Sequence, residues 1–146
     1  MGACMTGIIE WTHDAQCAAR FPAQFTLDRP RWEDDYLHGM LFETDKEYDF
    51  FAATAGARNR FGRPPLTPAR GVPTNLSIPA RRHFEFQPEL AGWLHLSEID
   101  AAIAHIRGDE EFHMGFELEV AMETMRIVVS RLADAHVRMV FDISGA

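Results

Sequence analysis

Four arginines, Arg58, Arg60, Arg63 and Arg70, fall within a stretch that is also rich in proline: Pro64, Pro65, Pro68, Pro73 and Pro79 lie between residues 62 and 79. A guanidinium is a planar fork of donors that fits carboxylate and phosphate, and several of them converging can hold one anion. Proline lowers the entropy that a loop loses on being ordered. From residue 50 to residue 84 there is no acid at all, whereas Asp28, Glu33, Asp34, Asp35, Glu43, Asp45, Glu47 and Asp49 crowd the preceding segment. Two readings follow. The arginines form a site for an anion, or they fold back on carboxylates such as Asp49 and Asp100 as internal braces.

Other side chains could hold a metal. His13 and Cys17 are four apart, a spacing that one helical turn presents to zinc, and His38 is a further candidate ligand with Cys4 in reserve. His105, Asp109 and His113 repeat at the same spacing, but Gly108 interrupts them. Glu33, Asp34 and Asp35, followed by His38, could bind a hard cation or supply a general base. Against these stand several absences. The chain has no CxxC, HExxH, G-x-S-x-G or glycine-rich phosphate loop. The expectation is therefore no cofactor and no complete catalytic constellation.

The elements that must position these groups are partly visible. Residues 7–13 are short, apolar and β-branched, as in a strand, and residues 14–32 show no period. Asp45 is the expected N-cap of a helix running through Phe50 and Phe51 to Gly56. Residues 62–79 are too rich in proline for a helix or central strand and are expected to be an ordered loop. Ser97 is expected to cap a helix reaching Arg107 and ended by Gly108. Leu118, Met122, Met125, Val129 and Leu132 recur at helical spacing within residues 115–135. Val137, Met139, Phe141 and Ile143 then alternate as one face of a strand. The predicted fold is α+β: one domain spanning residues 1–146, a small sheet containing both terminal strands, helices over it, and the Pro/Arg-rich loop.

The 146 residues are 47% hydrophobic with a formal net charge of −8, which suits a single core and opposes general nucleic-acid binding. Thirteen of the fourteen basic residues are arginine, a bias that a GC-rich genome also produces. No apolar run reaches the roughly 20 residues of a membrane span, and residues 1–7 lack the pattern of an export signal. A cytoplasmic setting with Cys4 and Cys17 reduced is the expectation.

Three segments resemble a family of small uncharacterised phage and bacterial proteins: residues 48–58 (YDFFAATAGAR), 68–73 (PARGVP) and 92–98 (GWLHLSE). The family patterns are Y-x-L-F-A-x-L-A-G-x-R, P-R-G-L-P and S-W-L-T-L-x-E-L, often followed by a terminal V-R-x-V-F, to which residues 137–141 (VRMVF) are similar. The family's N-terminal M-G-C-D-I-H is not kept, since Ala3, Cys4, Met5 and Thr6 stand there. The resemblance implies a phage-like or mobile-element origin and a host-cell cytoplasmic setting. Together these readings favour a non-enzymatic accessory or host-inhibitory binding protein, anti-defence included, that engages a host protein or an anionic small molecule, with self-association left open. The alternative is a metal-dependent hydrolase or nucleotide-processing enzyme built on His13, the acids at 33–35 and His38.

Overall fold

The computed structural model describes residues 2–19, 37–73, 75–84 and 88–146. Four antiparallel strands form one sheet in the order β2-β1-β4-β3: β1 (Cys4–Trp11), β2 (His38–Asp45), β3 (Ala91–Leu94) and β4 (Val137–Ser144). The two terminal strands pair along their whole length at the centre, as their apolar patterns predict, with Ile8 opposite Val140 and Glu10 opposite Arg138. Both strands are central and carry buried residues on either face.

One face is closed by α2 (Tyr48–Ala55), α4 (Leu96–Arg107) and α5 (Phe116–Leu132). Met5 and Ile9 of β1 and Val137, Met139, Phe141 and Ile143 of β4 point into this layer and meet Phe50, Phe51, Ile99, Leu118 and Met125. The stripe on α5 packs as expected, with Leu118, Met122 and Met125 buried and Val129 and Leu132 partly so. The ring of Phe42 lies over Gly7 so closely that a Cβ there would sit 2.3 Å from the ring. The opposite face carries Ile8 and Val140 and is covered by Leu76, by Ala80 of α3 (Ile78–His83) and by Val72 and Trp93 at its rim.

Several boundaries differ from the sequence expectation. Asp45 is the last residue of β2, paired with Cys4, and so cannot cap α2; Lys46 turns the chain at φ 57° and Glu47 takes the N-cap position. Ser97 lies inside α4, its hydroxyl and N–H both bonded to Asp134, and His95 is the N-cap. The proline-rich segment ends in helix, because Ser77 caps α3 and Pro79 sits in its first turn, where no N–H is required. The helix α1 (Ala15–Ala19) begins the 14–32 segment, whose remainder lies outside the described residues. α5 stops at Leu132, and Asp134–His136 form a 3-10 turn before β4. β2 and β3 are additions to the expected strands. Among the described residues no helix is long and apolar enough to cross a membrane.

Candidate functional site

The Pro/Arg loop starts where α2 ends. Gly56 adopts the left-handed conformation (φ 73°), and its N–H and that of Ala57 close onto Ala52 and Phe51. Pro65 folds back against Gly56, where an added Cβ would lie 3.1 Å from its Cγ. Asn59 ties the turn together: its Oδ1 accepts from Phe61 N–H at 3.1 Å and its Nδ2 donates to the Arg63 carbonyl. At the far end, Gly71 N–H donates to Ala91 O of β3 at 2.9 Å. The loop is thus anchored to both a helix and the sheet.

The four arginines divide into two kinds. Arg60 grips Asp49 with a two-pronged fork, Nε to Oδ1 at 2.8 Å and Nη2 to Oδ2 at 3.1 Å, and its Nη1 reaches Glu110 at 3.0 Å. Those hydrogen bonds hold the Asp49 carboxyl below its usual range, against the burial that would raise it. Arg70 lies on the ring of Trp93, 4.3 Å from its centroid, and pairs with both oxygens of Glu98. Burial pushes the Glu98 carboxyl up, but the Arg70 hydrogen bonds, the His95 N–H and the neighbouring positive charges outweigh it and bring the carboxyl below the usual range.

Arg58 and Arg63 meet main-chain carbonyls instead. Arg58 stands in the left-handed region (φ 53°), donates to Gly145 O at 2.9 Å and lies over the Tyr48 ring at 5.4 Å. Arg63 donates to His105 O at 3.2 Å in the last turn of α4, where the helix end is electronegative. Neither pairs with a carboxylate among the described residues, and both are exposed. The brace reading pairs the loop's arginines with carboxylates such as Asp49 and Asp100. In the structure the partner of Asp49 is Arg60, and Asp100 is held by Arg126 of α5, at 2.8 and 3.0 Å.

The candidate metal ligands are only partly assembled. The rings of His13 and His38 approach to 5.9 Å, edge to face, and His38 stacks on Trp11. Cys17 is a buried thiol on α1 outside any disulfide, its backbone N–H donating to Asp14, and Cys4 is exposed on β1. Gly108 ends α4 between His105 and His113, as expected. Among the described residues no three His, Cys, Asp or Glu side chains are grouped to hold a metal ion. Glu33, Asp34 and Asp35 lie outside the described residues.

Two features escaped the sequence reading. An open cleft of about 550 Å3 lies between β1, β2 and the start of α5, lined by Cys4, Met5, Thr6, Glu43, Thr44, Asp45 and Glu117. Its lining is acidic and so repels anions. Behind it, burial raises the Glu47 carboxyl above its ordinary value, although Gly115 N–H (2.7 Å) and the Thr44 hydroxyl (3.5 Å) both donate to it. The second feature is a fully buried ion pair, Glu10 with Arg138, which also engages Asn75 and the Ser77 N–H. One acid in β1 and one arginine in β4, each set among apolar residues, were the signal available for it. Compared with family models, curated proteins and solved structures, the chain matches none.

Proposed function

We propose that this chain is a non-enzymatic binding protein whose Pro/Arg loop receives an anion through Arg58 and Arg63, with Arg60 and Arg70 holding the loop in shape. The observation that carries this reading is the division among the arginines: Arg60 and Arg70 are committed to carboxylates, whereas among the described residues Arg58 and Arg63 have only main-chain carbonyls as acceptors. A main-chain carbonyl leaves the cationic charge uncompensated, so a phosphate or carboxylate is the stronger acceptor. The overall charge of −8 repels anions at long range, so recognition depends on direct contact at the loop and not on steering.

The anion is a small phosphate-bearing molecule or the acidic patch of a protein. In the setting implied by the resemblance to phage and bacterial proteins, the second is a host protein that this chain occupies and inhibits. Calorimetric titration of the full chain with pyrophosphate, a nucleoside triphosphate and a poly-glutamate peptide separates these forms. Saturable binding to one of them, weakened by salt and lost in Arg58→Ala/Arg63→Ala, is the expected result. No saturable binding to any of the three at low ionic strength contradicts it.

A further inference from the structure

Helix α5 has a second apolar stripe that faces away from the core. Phe116 is 75% exposed, Val120 44% and Ile127 61%. At 100° per residue these three fall within an arc of about 40°, on the side of the helix opposite Leu118 and Met125. Among the described residues the other exposed large apolar side chains, Leu41, Leu66 and Ile78, are scattered over separate segments. Two hydroxyls flanking the stripe are already satisfied within the helix: Thr124 donates to Val120 O at 2.8 Å and Ser130 to Ile127 O at 2.6 Å. Covering this face therefore strands neither hydroxyl without a partner.

The charges along α5 say what fits it. Glu117, Glu119 and Glu123 occupy its first half, Arg126 and Arg131 its second. A parallel copy of the same helix would set acid on acid and base on base. An antiparallel copy sets Glu117 and Glu119 against the basic half, with Glu123 alone meeting its counterpart near the centre. We infer that α5 is a homodimer interface in which the helix packs antiparallel on α5 of a second copy.

A two-fold axis between residues 123 and 124 sets Val120 against the second copy's Ile127 and Phe116 beside its Arg131. Arg131 and Glu117 lie on the same flank of the stripe, so this symmetry brings Arg131 of one chain to Glu117 of the other, twice per dimer. Neither has an ion-pair partner within its own chain among the described residues, whereas Arg126 is held by Asp100. A single helix about 25 Å long offers less than the roughly 800 Å2 per partner of a standard interface, so the dimer is a reversible, concentration-dependent one.

Sedimentation equilibrium of the full chain from micromolar to millimolar loading tests this. The expected result is a mass that rises from one chain toward two. Ile127→Glu, at an exposed position, keeps the parent's melting temperature and weakens the dimer by at least about tenfold. Arg131→Glu and Glu117→Arg each weaken it, and the two together restore it. A chain that stays monomeric throughout, or a dimer indifferent to Ile127→Glu, overturns the assignment. Failure of the double exchange to restore association overturns the antiparallel arrangement.

Discussion

The Glu10 carboxylate and the Arg138 guanidinium face each other across the β1–β4 ladder, both fully buried, with Nε 2.8 Å from Oε2. The pair does more than join two strands. Glu10 Oε1 accepts from Ser77 N–H at 2.7 Å, and Arg138 donates to the side chain and carbonyl of Asn75. The segment that follows the Pro/Arg loop is thereby fastened to the centre of the sheet.

Arg138→Met leaves Glu10 buried without its countercharge and is expected to destabilise the fold by about 3–5 kcal/mol. Glu10→Leu/Arg138→Met removes both charges and recovers part of that loss, but not all of it, because Asn75 and the Ser77 N–H lose their partners. Urea unfolding of the two variants gives the comparison. Equal stability of Arg138→Met and the parent contradicts the role given to the pair.

Met125 is fully buried beneath α5, so Met125→Asp places a charge in the apolar layer between helix and sheet. A loss of several kcal/mol is expected. A variant melting with the parent would mean that this face of α5 is not packed on the sheet.

Glu47 and Asp49 predict opposite pH effects. The Glu47 carboxyl is raised in the folded state, first by burial, so its contribution to stability is present below its unfolded value of 4.5 and is lost as pH rises through the folded value. Glu47→Gln, which keeps an acceptor for Gly115 N–H, is expected to raise the melting temperature at neutral pH, the gain shrinking as pH falls toward 4.5 and vanishing below it. Thermal melts at the two pH values check this.

Asp49 runs the other way. Its carboxyl is lowered, chiefly by the Arg60 hydrogen bonds, so its contribution is present above 3.8 and is lost as pH falls through the folded value. Arg60→Ala removes that depression. It is expected to lower the melting temperature at neutral pH and to bring acid unfolding on at a higher pH, as an acid titration followed by circular dichroism would read.

The sheet's centre and α5 were legible because their side chains follow one period each: β4 alternates, and the α5 stripe repeats every three to four residues. β2 was not, because Glu43, Thr44 and Asp45 mix charge into a strand whose outer side is open, and edge strands lose the apolar alternation that marks central ones. β3 has only four residues, too few for a period. Ser97 looked like a cap by type, but the cap position is set by where β3 releases the chain, and that is His95. For the site, the acid-free run located the arginine loop. Which arginine meets which carboxylate depends on how α2, α4 and the 109–114 segment come together. Asp49 and Arg60 are eleven residues apart, and Arg70 and Glu98 twenty-eight, with nothing in the intervening sequence to pair them.

The division of the four arginines is tested most directly by measuring binding and melting together in two double variants. Arg58→Ala/Arg63→Ala is expected to keep the parent's melting temperature while losing at least about tenfold to a hundredfold in affinity for the bound anion, each charge-assisted contact being worth about 1.5–3 kcal/mol. Arg60→Ala/Arg70→Ala is expected to melt lower and, where still folded, to bind. The reverse pattern, with Arg58→Ala/Arg63→Ala unfolding early while residual binding persists, would make all four arginines braces and contradict the account.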